Sequence, residues 1–352
     1  MNYKNTYAQQ LSSAISWLRF PLILLIILLH GYSTVSIPGN HAVYFKVLYP
    51  FSLWLGETGV PGFFFISGYL FFLSKKSYEQ KLKTRFNTLL IPYVLWNAIL
   101  LAAYLTVYVV GFPQDINGKN MADYNLIDYI RLFWDRGSFD NGNFVPLLCP
   151  LWYIRNLLIM SVLSPLLFFI IKYTRVLFLL IVTIWWMLTC HNAFIPQTVL
   201  FFSLGAYFPI LQVNPLEACH KIRAIFLSLF VIFGICDIVT NTLWSTPINL
   251  QLHRLALIFN IPAFFLFADY CSQRGLSSKL LPNAAFIVFC VHYPIIVVLR
   301  KACIFLFADA SDFTHVLLYW VCVIITTIIS ISIYIVLNKY FPKVKNILSG
   351  NR

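Results

Sequence analysis

The stretch WLRFPLILLIILLHGYS, Trp17 to Ser33, is apolar for about the length a helix needs to cross a bilayer, and comparable runs recur along the chain. That recurrence limits the fold more than any other feature. A spanning segment must satisfy its backbone groups internally, as helix or closed barrel, and barrel strands alternate polar with apolar residues whereas these runs are apolar all round. The expectation is an all-α, polytopic membrane helix bundle. Composition agrees: 60% of the 352 residues are hydrophobic and 11% are charged, against about a quarter charged in soluble domains.

Ten spans are expected, near 15–36, 50–73, 87–111, 150–171, 176–190, 194–211, 224–243, 253–271, 283–305 and 314–338. The first is too long for a signal peptide and lacks a small-residue cleavage site, so it is kept in the mature chain. The whole chain, 1–352, is read as one membrane-embedded domain with a transmembrane core of about 15–340 and an external loop of about 112–149. No soluble domain is expected after the last span, so any second step would need a separate protein. Lys and Arg concentrate in alternate loops so as to place both termini in the cytoplasm. The net charge of +13 is therefore mostly a topology signal, and no soluble domain is present to carry nucleic-acid binding. Eight scattered cysteines without ligand spacing read as buried free thiols, and no metal site is expected.

Arg19 and His30 are ionisable residues in an otherwise apolar helix. Eleven residues separate them by ~16 Å along a helix and only ~20° around it, so they share a face. Arg19 alone reads as a snorkelling anchor at the cytoplasmic interface. His30 then lies near mid-membrane, where ionisable residues are functional candidates by default. His292, about ten residues into the ninth span, reaches similar depth. His41, His191, His220, His253 and His315 fall at loops or span ends and read as solvated or capping residues. In the second span, Gly56, Gly59, Pro61, Gly62 and Gly68 break a plain helix, for close packing or for a ligand cavity. Glu57 at its outer end reads as solvated. The basic run KKSYEQKLKTR suits topology anchoring or a phosphate site.

These segments together resemble the acyltransferase 3 family of integral membrane acyltransferases. Arg19 to His30 matches its R-x10-H signature, and GETGVPGFFFISGYL matches GxxGVxxFFxISGY. LKTRFNTLLIPYVLW resembles the basic loop and following turn, PLWYIRNLLIMSVLSPL the LWFLRDL…LSP segment, and AFIVFCVHYPII the late SFxIYxxHxPII segment. The resemblance covers residues 19–299. Asn156 stands where many relatives have Asp, and Ala285 and Phe289 where many have Ser and Tyr.

The resemblance implies acyl-CoA, most often acetyl-CoA, as donor substrate rather than bound cofactor. The expected acceptor is a hydroxyl on a surface glycan or lipid-linked glycan in the membrane, and the expected location is a bacterial cytoplasmic membrane. Arg19, Lys83 and Arg85 are candidates for the coenzyme phosphates, with Ser67 and Gly68 on the acyl-CoA path. His30, whose ordinary pKa is ~6.5, is the candidate general base. An acyl-histidine shuttle is a less economical alternative. His292 is assigned either to orienting His30, to substrate or to packing. Trp152, Arg155 and Glu57 are further candidates on the acceptor side. The loop 112–149, with Asp115, Asp123, Asp128, Asp135, Asp140, Trp134 and Phe139, suits sugar recognition or plain solvation. A secondary transporter should instead show repeated halves with paired broken helices, and only one strongly broken segment is seen. A decayed, non-catalytic flippase or scaffold would be expected to lose Arg19 or His30.

Overall fold

The computed structural model describes residues 3–33, 42–112, 114–137, 144–189, 194–243, 247–276 and 278–351. His41, Phe139, Asp140, Cys190 and His191 lie outside the described residues. In chain order the first helices are α1 (Tyr3–Ser33), α2 (Ala42–Tyr49), α3 (Gly59–Leu73), α4 (Tyr78–Arg85), α5 (Ile91–Val109) and α6 (Leu126–Arg131). They are followed by α7 (Trp152–Val162), α8 (Ser164–Thr174), α9 (Val176–Leu188), α10 (Phe194–Ile210) and α11 (Pro215–Lys221). The remainder are α12 (Arg223–Leu243), α13 (Pro247–Gln273), α14 (Leu280–Leu306), α15 (Asp312–Tyr340) and α16 (Pro342–Ser349). The described strands are a two-residue pair, β1 (Asp115–Ile116) and β2 (Lys119–Asn120).

The protein is an all-α membrane bundle. Six described helical segments are long and apolar enough to cross a bilayer, and two bent pairs, α7–α8 at 69° and α10–α11 at 95°, raise the number to eight. The ten expected spans differ from this at two places. The segment 50–73 is a broken span, a wide turn over Pro50–Leu55 and a tight one over Gly56–Thr58 leading into α3, and 176–190 is found as the short α9. The long helices carry exposed apolar faces, such as Ile324 and Ile328 on α15, which suits lipid rather than water.

Two compact units are present, Met1–Leu73 with Leu204–Ile335, and Ser74–Ser203 with Val336–Arg352. In the first, α1 packs against α3, α13, α14 and the turns before α3, and α12 packs along α13. Glycine makes the α1–α3 approach possible: a Cβ on Gly59 would lie 2.8 Å from the Leu22 carbonyl oxygen and one on Gly56 would lie 3.0 Å from that of Leu25. For these two glycines the packing role is realised. Gly205 of α10 likewise sits against the Phe65 backbone, where a Cβ would come within 2.0 Å of the carbonyl oxygen.

In the second unit α16 docks on α5, with the Trp96 indole N–H donating to the Leu348 carbonyl at 3.0 Å. The described part of the loop 112–149 is folded. Ile116, Met121, Leu132 and Leu147 form a small core against Tyr104 and Tyr108 of α5. Asn125 and Asp128 cap α6 reciprocally. The Asp128 carboxyl is held below its usual range by hydrogen bonds from the Lys119 ammonium, at 2.8 Å, and the Asn125 backbone N–H.

Candidate active site

In the first unit α1 and α14 cross so that the His30 and His292 rings stack, with centroids 5.4 Å apart and planes inclined by 28°. Tyr293 meets His30 edge-on at 5.0 Å. His292 is fully buried, and its Nδ1–H donates to the Val288 carbonyl one turn earlier at 3.1 Å. That carbonyl can only accept, so in the neutral ring Nδ1 carries the proton and Nε2 is an acceptor. Among the described residues His292 Nε2 has no hydrogen-bond partner. Depth along two helices thus corresponds to real proximity. Arg19 is exposed on the same face near the middle of α1, which begins at Tyr3 rather than near residue 15. Ser67 and Gly68 lie in α3, Ser67 half-buried and Gly68 buried.

Lys83 and Arg85 belong to the second unit, in the last turn of α4, a helix started by the Ser77–Gln80 capping box. Two residues apart on a helix is ~200° around the axis, so they point to opposite sides and do not form one cluster. Lys81 is the basic residue that shares a face with Arg85, four residues away.

Arg155 and Trp152, also in the second unit, begin α7. Arg155 is buried and donates to the Trp134 carbonyl at 2.7 Å, the Phe144 carbonyl at 3.0 Å and Asn156 Oδ1 at 3.1 and 3.2 Å. It thereby ties two segments of the loop to α7. Asn156 donates in turn to Thr198 at 3.1 Å, and Trp152 stacks flat on Phe194 at 3.9 Å. Beside them is a largely apolar cavity of about 300 Å³ lined by Trp134, Arg155, Asn156, Met160, Phe194 and Thr198.

Glu57 is not simply solvated. Its Oε2 pairs with His253 Nε2 at 2.9 Å, while His253 Nδ1 pairs with Asp237 Oδ2 at 2.8 Å. The other Asp237 oxygen accepts from the Tyr49 hydroxyl at 2.8 Å and the Asn249 amide at 3.2 Å. Asp237 is fully buried in α12. His253 and His315, expected to be solvated or capping, are both buried; for His253 the reason is that the turns after Tyr49 bring the start of α13 against buried acceptors that sequence position does not reveal. Asp237 was legible only as an isolated carboxylate in an apolar run, a signal that names no partner. The seven described cysteines are free thiols, with Cys303 and Cys322 sulfurs 3.5 Å apart.

A family model described as an acyltransferase domain matches residues 12–335, nearly the whole chain and across both units. The succinoglycan biosynthesis protein ExoH of Rhizobium meliloti (strain 1021) is 27% identical over 267 residues, covering 70% of this chain and 68% of ExoH. No solved structure is significantly similar. The match runs over the Arg19–His30 helix, the 56–69 turn and helix, and His292, so the chain belongs to the acyltransferase 3 family and is a membrane acyltransferase.

Proposed function

We propose that the protein moves an acyl group from cytoplasmic acyl-CoA to a hydroxyl of a polysaccharide or its lipid-linked precursor, in a bacterial cytoplasmic membrane with both termini inside. The whole chain acts as one acyltransferase domain, a reading supported by the family match across both units. The relative's name supports the class of acceptor, since it refers to the biosynthesis of a glycan. The apolar cavity beside Arg155 suits the hydrocarbon of a membrane-linked acceptor. The observation that carries the proposal is the stacked imidazole pair within a family-matched helix core.

His30 acts as general base. It takes the proton of the acceptor hydroxyl as the oxygen attacks the thioester carbonyl carbon; the C–S bond breaks, and the proton passes from His30 to the departing thiolate, giving ester and free coenzyme A. No acyl-enzyme is needed. His292 fixes the His30 ring by stacking. Arg19 contributes positive charge for the coenzyme phosphates, and on α4 either Lys83 or Arg85, not both, can meet one phosphate group. Ser67 and Gly68 border the acyl-CoA path. Acetyl is the group the family resemblance implies.

Radiolabelled acetyl-CoA supplied to inverted membrane vesicles that contain the host's own glycan tests this. Label should appear in the glycan with the wild type, should be lost by at least 100-fold with His30→Ala, and should require more donor with Arg19→Ala. Full transfer by His30→Ala overturns the base assignment, and solute uptake without acylation overturns the acyltransferase reading.

A further inference from the structure

Cys303 of α14 and Cys322 of α15 are 19 positions apart in the chain, and their sulfurs lie 3.5 Å from each other. A disulfide bond is ~2.05 Å long, so closing the remaining ~1.5 Å takes side-chain torsion rather than backbone movement. Cys322 is buried, whereas Cys303 is half-buried. Cys303 follows the exposed Lys301 and Ala302 and lies within one turn of the end of α14 at Leu306.

The surroundings of the pair are those of reactive thiols. Arg300 of α14 is fully buried beside the Cys322 thiol and donates to the Tyr44 hydroxyl at 2.8 Å. No carboxylate forms an ion pair with Arg300 among the described residues, so its positive charge falls on the sulfur pair. Reactive cysteines occupy electropositive, partly exposed surroundings, and this pair has both. The exposed Lys301 marks the membrane interface at this end of α14. With both termini in the cytoplasm α14 runs outward, and its C-terminal end meets the extracytoplasmic side, where disulfides form and persist.

We infer that Cys303 and Cys322 are a disulfide site, oxidised by an extracytoplasmic thiol oxidase that carries a disulfide of its own, and that the bond clamps α14, the helix of His292, to α15. The inference rests on cytoplasmic termini and is independent of the acyl group and of the histidine pair. The Cys303 thiolate attacks the oxidase disulfide, forming a mixed disulfide and releasing one oxidase thiolate. The Cys322 thiolate then attacks the Cys303 sulfur; the mixed disulfide breaks, and the second oxidase thiolate leaves. The two thiols lose two electrons to the oxidase disulfide, and their two protons end on its thiolates. The Tyr319 hydroxyl, three residues before Cys322, already ties α15 to the Leu28 carbonyl of α1 at 3.0 Å. The disulfide adds a covalent tie to α14 and closes a chain loop, which stabilises the fold by restricting the unfolded chain.

The test uses the full chain in its host membrane, quenched in acid, denatured and blocked with N-ethylmaleimide before digestion and mass spectrometry. Most of the chain should give one cross-linked peptide pair holding Cys303 and Cys322, separated by dithiothreitol, while Cys290, buried in the same helix, carries maleimide. In a host without extracytoplasmic thiol oxidases, Cys303 and Cys322 should both carry maleimide. After reduction, a membrane-impermeant maleimide should reach Cys303 from outside intact spheroplasts. Dithiothreitol should lower the melting temperature of the detergent-purified wild type by about 5 °C and leave that of Cys303→Ala unmoved. Maleimide on both thiols in the ordinary host, or a link from either cysteine to a different one, overturns the inference. A bond that persists in the host without oxidases overturns the exchange step. A Cys303 reached only in inverted vesicles overturns the orientation together with the inference, and a bond whose reduction leaves the melting temperature unchanged overturns the clamp.

Discussion

His30 and His292 stack with ring centroids 5.4 Å apart, and the second ring is pinned by its own helix through Val288. Pinning leaves His292 Nε2 as the polar atom without a described partner. His292→Phe preserves a stacking ring and removes that atom. It should therefore lower kcat by at least ten-fold while leaving the amount of folded, detergent-stable protein unchanged, measured by initial rates and size-exclusion profile. Activity within two-fold of wild type would reduce His292 to packing.

His253 bridges a carboxylate of the Gly56–Thr58 turn and one of α12, and the latter, Asp237, has no access to solvent. Removing the imidazole leaves both without their shared donor, a change that costs about 3–5 kcal/mol for buried ion pairs. His253→Ala should then unfold at markedly lower temperature in detergent. Glu57→Gln should cost about 1 kcal/mol, because the Glu57 side chain is 39% exposed and its amide still accepts from His253. Equal thermal stability of His253→Ala and wild type would show that the bridge contributes nothing.

The contrast between these two pairs shows what the sequence carries. Hydrophobic runs fix the helical class because lipid leaves few alternatives, and helix rise alone brings His30 and His292 to one depth. The Glu57–His253 contact joins residues 196 positions apart through irregular turns, so no periodicity announces it. Lys83 and Arg85 are close in sequence, whereas helicity through Arg85 separates them around α4. The loop 112–149 reads as acidic and aromatic, and its small core emerges only when Ile116, Met121, Leu132 and Leu147 meet α5.

Gly205 separates two kinds of glycine requirement. A Cβ there would fall 2.0 Å from the Phe65 carbonyl oxygen, so Gly205→Ala must push α10 away from α3. Overpacking of that kind costs about 1–3 kcal/mol or more, and the variant should give lower yields of folded protein and a lower melting temperature. Gly118 has φ +82° in the β1–β2 turn with nothing within 4 Å of its Cβ position. Gly118→Ala should cost about 1–2 kcal/mol from backbone strain alone and leave the membrane core intact, seen as increased proteolysis confined to the loop.

Asn156 offers the reverse direction, a stabilising change. Its Oδ1 already accepts two hydrogen bonds from Arg155, at 3.1 and 3.2 Å, in a buried site. Both bonds are charge-assisted already by the guanidinium; Asn156→Asp keeps the shape and turns them into an ion pair, whose Coulomb attraction works against the desolvation of the new carboxylate. Against this stands the loss of the Asn156 amide donation to Thr198, about 1 kcal/mol, since the Thr198 hydroxyl already donates to the Phe194 carbonyl at 2.6 Å. Arg155 is already buried with its charge, so giving it a carboxylate partner outweighs the lost Thr198 bond, and Asn156→Asp should melt higher than wild type. Arg155→Ala should melt lower and release the Trp134 and Phe144 segments to protease, because the three acceptors that Arg155 holds lose their donor together. If Asn156→Asp melts lower than wild type, the Thr198 bond and the desolvation of the carboxylate outweigh the ion pair and this account of the site is wrong.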